Sequence, residues 1–170
     1  MAEQFSELRH SQQHVPVEDI LRRLDPRLRK LEIRVEARRP QLAADVGLSQ
    51  LVPLRMMGEG VTRVVEILLA VFSTPGGIVL VDEIENGLHY SVLEEVWKAI
   101  AEGARTSDVQ LIATTHSWEC IRAAHHFFSN DTQYDFRLHR LDRRNGDITA
   151  TTLDRSALEA SLKMGLEVRG

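Results

Sequence analysis

Two apolar runs, GIVLV at residues 77–81 and VQLIA at residues 109–113, limit this chain's folding options more than any other feature. The first is a continuous β-branched and leucine run, the pattern of a central strand in a parallel sheet, and the second reads as another buried strand. Between them, residues 90–104 repeat apolar positions at helical spacing, with Val92, Val96, Trp97 and Ile100 on one side. Strand, helix and strand in this order make a βαβ unit. Such a crossover is right-handed and needs helices on the faces of its sheet. The expected class is α/β, with a parallel βαβ core flanked by helices.

The rest of the chain is read around that unit. Residues 17–24 are amphipathic and predict a helix stopped by Asp25-Pro26. Residues 31–36 alternate as a half-buried strand, and a second strand is expected after a turn at Arg39-Pro40. Residues 61–72 are apolar on nearly every side, so a helix there must be buried on more than one face. Ser117 is placed to cap a helix over residues 118–128. The tail predicts a hairpin of residues 134–141 and 147–153 about Asn145-Gly146, then a helix over residues 155–163. One domain is expected in three stretches: a helical and arm region (1–54), a core (55–128), and a terminal hairpin with its helix (129–170).

Composition excludes several classes. Over 170 residues, 43% are hydrophobic and 27% charged, which rules against disordered and fibrous chains. A net charge of −4 gives no general attraction to nucleic acid or anionic membrane. The single cysteine, Cys120, can form no internal disulfide and fits a reducing compartment. Apolar stretches such as residues 67–72 are far shorter than the roughly 20 residues a bilayer span needs. A cytoplasmic protein with no membrane association is expected.

Parallel strands bring their C-terminal ends to one edge, where ligands bind in open α/β sheets. Asp82-Glu83 follows the first run, and two carboxylates at a buried strand end call for a cationic partner. Asp82 suits a hydrated magnesium ion, and Glu83 suits a water-polarising role, although a strand ending in solvated acids has the same pattern. His116 ends the next run and could bond a phosphate oxygen or an attacking water. Gly58-Glu59-Gly60 precedes the apolar helix, where glycines and free N–H groups can approach an anion, or simply make a turn. Residues 85–89 (ENGLH) make the turn after the acidic pair. Adjacent His125 and His126 point apart on a helix and form a poor metal pair. Arg137, Arg140, Arg143 and Arg144 form a basic cluster on the hairpin, read as a solvated surface or a nucleic-acid contact.

In order, MMGEGVTR, GIVLVDEIENGLH and IATTHS resemble the ABC ATPase superfamily, most closely its RecF-like and OLD-like branch of AAA family ATPases. The resemblance covers residues 55–120. It implies that Gly58, Glu59 and Gly60 fall in the signature motif, with Met57 where the family has a serine. By the same resemblance Asp82 is the Walker B aspartate, Glu83 the catalytic glutamate and His116 the switch histidine. Asn86 to His89 fall in the D-loop, and the cofactors are ATP and Mg²⁺. A Walker A loop, G-x-x-x-x-G-K-[ST], needs a lysine after glycine. Lys30, Lys98 and Lys163 follow Arg29, Trp97 and Leu162 instead. The chain thus reads as the C-terminal half of such an ATPase, inactive alone, as a homodimer or with a partner chain supplying Walker A. The alternatives are a non-catalytic interaction module and a role in DNA repair or phage defence. A half-domain should expose a sheet edge or an apolar face at the lost interface, so the helix of residues 61–72 is expected to be less buried than its sequence demands or covered by another chain.

Overall fold

Alternating apolar and polar residues form β1 (Lys30–Glu36), which pairs with β2 (Arg39–Asp45) as an antiparallel hairpin, registered from Lys30 opposite Asp45 to Glu36 opposite Arg39. The computed structural model describes residues 1–144 and 146–165. The hairpin turn is at Ala37-Arg38, with φ of +49° and +62°, not at Arg39-Pro40 as the sequence suggested. Positive φ at both central residues matches the right-handed strand twist. Pro40 sits within β2, opposite Val35. It is tolerated there because β3 (Val52–Pro53) pairs with β2 only at Ala43 and Ala44, beyond Pro40.

A helical layer packs against this sheet. It contains α1 (Ala2–His10), α2 (His14–Leu24), α3 (Glu59–Phe72), α4 (Leu93–Thr106) and α5 (Trp118–Asn130). One buried cluster joins Phe5 and Leu8 of α1, Ile20 of α2, Leu31 of β1, Leu68 of α3, Ile100 of α4 and Phe128 of α5. Glu18 is buried beside it, and its Oε1 accepts the Leu31 N–H at 2.7 Å, tying α2 to β1. Helix α3 buries Val64, Val65, Ile67, Leu68, Leu69, Val71 and Phe72. It is covered by α1, α2 and α4 of the same chain, which overturns the expectation for this helix and counts against a half-domain cut along it. Gly103 of α4 packs tightly on α3: a Cβ added there would lie 3.1 Å from Phe72 Cε2 and 3.5 Å from Leu68 Cδ2. Gly103→Val should overpack this contact and cost about 1–3 kcal/mol, read as a lowered midpoint in urea unfolding.

The parallel pair is present, but it is covered differently from expectation. β4 (Ile78–Val81) and β5 (Gln110–Ala113) pair in register, with Leu80 beside Ile112. Val79 and Val81 enter the core, whereas Ile78 is 58%, Leu80 74% and Ile112 50% exposed. The sequence implied strands buried on both faces. Among the described residues, helices cover only one. The bare apolar face belongs to the sheet.

The tail closes on α5. Ser117 caps this helix as expected, its side chain accepting the Cys120 N–H at 3.1 Å. Strands β6 (Leu138–Arg144) and β7 (Asp147–Leu153) form the hairpin, and α6 (Arg155–Lys163) follows, capped by Asp154. The Asn145 of the expected turn lies outside the described residues. Leu158 and Ile121 are buried together, with Trp118, Phe136 and Leu153 around them.

Arg105, at the end of α4, fixes the connecting loop. Its Nε and Nη2 donate to the two Asp135 oxygens at 2.9 and 2.7 Å, and its Nη1 to Asp131 at 2.6 Å. The hydrogen bond from Arg105 holds the Asp131 carboxyl below its ordinary range. A carboxyl depressed in the folded state stabilises fully above its unfolded pKa, about 4, and loses that contribution as pH falls through its folded value. Arg105→Gln should therefore melt below the wild type at pH 7, and the gap should close under acid. Parallel melting curves at both pH values would contradict this.

Candidate ATPase site

The end of β4 and the loop after β5 are joined by one side chain. The ladder continues beyond the strands: Thr114 N–H donates to the Val81 carbonyl at 2.9 Å, and Ile84 N–H to the Thr114 carbonyl at 3.1 Å. This brings the Thr114 hydroxyl to the acidic pair. It donates to Asp82 Oδ1 at 2.5 Å and accepts the Glu83 N–H at 2.9 Å. Glu83 has φ of +47°, a left-handed conformation uncommon outside glycine. Strain of this kind persists only where the surroundings impose it, and it gathers at functional sites.

Both acids are exposed, not buried as their place after an apolar run suggested. The bare sheet face and edge leave the strand ends open to solvent. Desolvation therefore does not demand a cation here. Whether magnesium fits depends on the donors. Asp82 offers one carboxylate, whose Oδ2 makes no hydrogen bond among the described residues. No group of three His, Cys, Asp or Glu able to hold a metal occurs among them either. Magnesium keeps several waters and takes one or two carboxylates plus substrate phosphates. Asp82 fits that arrangement, and the site does not form a cage built from protein alone.

Arg63 of α3 reaches the same segment. Its guanidinium donates to the carbonyls of Asp82 and Glu83, the latter at 3.2 Å. The loop from Glu83 to Leu88 is a pair of tight turns, with Asn86 N–H on the Glu83 carbonyl and Leu88 N–H on the Glu85 carbonyl. Gly87, at φ of +76°, lies against the start of α3. A Cβ there would meet Glu59 Cγ at 2.6 Å, and one on Gly60 would meet the Gly87 carbonyl at 2.9 Å. Only glycine allows this approach on both sides. Glu59 and Gly60 are thus brought against Gly87, beside an open groove lined by Arg55, Glu59, Thr62, Arg63, Glu66 and Asn86. Gly58 caps α3 at φ of +105°. Met57 packs on the core and offers no hydroxyl.

His116 is exposed two residues beyond Thr114. Its N–H donates to Glu85 Oε1 at 2.9 Å, and the same oxygen accepts the Ser117 N–H at 3.1 Å. The sequence reading missed Thr114, Arg63 and this use of Glu85. Thr114 could have been suspected from IATTHS, because a hydroxyl one step past a parallel strand faces its neighbour's end.

Other candidates lie apart. His125 is buried with Nδ1 3.2 Å from the Tyr134 hydroxyl, and burial lowers its pKa. His126 is exposed, 3.0 Å from Glu94. Arg140 pairs with Asp142 at 3.0 Å. No helix among the described residues is long and apolar enough to cross a membrane.

Comparison with known proteins bears on the family and the fold. An "ATP/GTP phosphatase" of Helicobacter pylori (strain ATCC 700392 / 26695) is 30% identical over 77 residues, 44% of this chain and 21% of that protein. The chain thus spans about a fifth of the curated relative it matches. A solved structure on ATP-driven dimerization and DNA-stimulated activation of SMC ATPases aligns with TM-score 0.62 at 15% identity, covering 98% of this chain and 99% of that one. An SMC head bound to the C-winged helix domain of ScpA aligns with TM-score 0.58 at 16% identity, covering 87% and 43%. A third, an SMC head with an extended coiled coil bound to the C-terminal domain of ScpA from Pyrococcus furiosus, gives 0.53 at 18%, covering 86% and 35%. At these identities the likeness is one of fold, that of SMC ATPase heads. The family described as "AAA domain, putative AbiEii toxin, Type IV TA system" matches residues 4–121, well over half of the chain, and the protein belongs to it.

Proposed function

We propose that this chain is the water-handling half of an ABC-type ATPase site of the RecF-like and OLD-like kind. The observation that carries the reading is the Thr114 hydroxyl bound at once to Asp82 Oδ1 and the Glu83 N–H. It fixes the Asp82 carboxylate and the Glu83 backbone side by side at the C-terminal edge of a parallel pair. Asp82 would hold magnesium together with water and nucleotide phosphates, and the ion would neutralise phosphate charge. Glu83 accepts a hydrogen bond from the attacking water and orients it. His116 bonds a γ-phosphate oxygen or that water. Gly58, Glu59, Gly60 and Asn86 form the signature and D-loop surface, which meets nucleotide through backbone N–H groups at the start of α3.

The phosphate-gripping loop comes from a segment outside these residues, in a homodimer of a longer protein or on a partner chain. The bare face of Ile78, Leu80 and Ile112 supports this, because an apolar patch beside a site marks a surface that is covered when the site is complete. Isothermal titration of the 170-residue chain with Mg-ATP should show weak binding or none, and phosphate release should be absent. Adding a polypeptide that carries G-x-x-x-x-G-K-[ST] and binds this chain should create turnover. Tight Mg-ATP binding by the chain alone would overturn the divided site.

A further inference from the structure

We infer that Glu85 is a positioning residue, a side-chain link that sets the histidine loop according to the state of the signature and D-loop contact. The inference rests on the ATPase reading and adds a residue to it.

Glu85 stands between two pieces of the site. Toward β5, its Oε1 accepts two successive backbone N–H groups, those of His116 and Ser117, from 31 and 32 residues away. These N–H groups belong to the N-cap of α5 and the residue before it, close to the helix end whose dipole favours a negative charge. Bonds from N–H to a carboxylate are stronger than neutral ones. Toward α3, the Glu85 carbonyl accepts the Leu88 N–H at 2.9 Å, closing the turn that presents Gly87 to Glu59 and Gly60. Contact with the signature helix at Gly87 therefore passes through one tight turn to a carboxylate that carries the backbone of His116.

Glu85 Oε2 supports the same conclusion. It is buried and has no hydrogen-bond partner among the described residues. A buried acceptor left unsatisfied is costly, a cost that the two bonds to Oε1 offset. The Cys120 thiol beside it is pushed up to about 11, first by burial and further by the Glu85 charge, so it stays a neutral thiol. Swinging the turn would carry Oε1 away from both N–H groups together and release His116 with Ser117.

The test uses the 170-residue chain without nucleotide, so failure here leaves the ATPase reading to be judged separately by turnover. Amide exchange followed by NMR should show His116 and Ser117 exchanging at least about tenfold faster in Glu85→Ala, with protection largely restored in Glu85→Gln, which keeps the acceptor oxygen. If Glu85→Ala does not fold, Glu85→Asp, too short to reach both N–H groups, should show the same loss. The coupling is read with Gly87→Ala, which strains the turn at φ of +76° and sets a Cβ 2.6 Å from Glu59 Cγ. This change should shift the His116 amide and ring resonances when Glu85 is present and leave them in place in the Glu85→Ala background, or in Glu85→Asp if that variant is used. Unchanged exchange in a folded variant, or equal His116 shifts in both backgrounds, overturns the inference.

Discussion

Glu83→Gln is expected to lower ATP turnover by about 10²–10⁴-fold, the usual worth of a positioned acid–base group, in any assembly of this chain that hydrolyses ATP. Nucleotide binding should stay within a few fold. The change removes one charge and keeps the shape. Glu83 is exposed and its carboxylate makes no hydrogen bond among the described residues, so folding should shift by less than about 0.5 kcal/mol. Its N–H bond to Thr114 at 2.9 Å belongs to the backbone and survives the substitution. A loss of turnover can then be assigned to the carboxylate. If KM rose while kcat held, Glu83 would be a binding group instead. If neither moved, the enzymatic reading would fail. Thr114→Val is the companion variant. It keeps both acids but removes the hydroxyl that holds Asp82 at 2.5 Å, and it should weaken the magnesium dependence as well as the rate.

The parts of this site legible in sequence were those written in local order. A β-branched run ending in Asp82-Glu83, a second run ending near His116, and a serine at the head of α5 each follow from short-range chemistry. The fold class followed from the same runs, because a parallel pair needs a crossover. Helix α1 was missed because only Phe5 and Leu8 of its nine residues are buried, too few for a clear period. The turn at Ala37-Arg38 was misplaced because neither residue advertises positive φ, and Pro40 drew the reading two positions too far. Long-range partners were invisible for a different reason. Arg63 reaches Asp82 across 19 residues and Glu85 reaches His116 across 31. Nothing in either segment encodes the other's distance. The sheet shows the deepest limit. GIVLV reads as buried on both faces, and that demand stands in the sequence whether or not the covering residues belong to the same 170.

That unmet demand gives the second large effect. Leu80→Asp should leave this chain folded and reduce its self-association, yet weaken its binding to the P-loop polypeptide by at least about 100-fold, equivalent to roughly 2.7 kcal/mol. Leu80 is 74% exposed, beside Ile112 at 50%. An exposed leucine contributes little to folding of the chain that bears it, so thermal melting should move only slightly. In the completed sheet it would be covered, and burying a leucine is worth about 1.5–3 kcal/mol. A carboxylate in its place loses that and must also be desolvated without a partner. Val35→Asp is the matched control: it is 69% exposed, but on β1 in the other sheet, and it should leave affinity unchanged. Isothermal titration of both variants against the P-loop polypeptide separates the outcomes. Equal affinity for Leu80→Asp and wild type would mean that the bare face is not where the other half docks. The acidic pair would then have to be completed from the sheet edge, through backbone pairing along β4 or β5, and not across the Ile78 and Leu80 face.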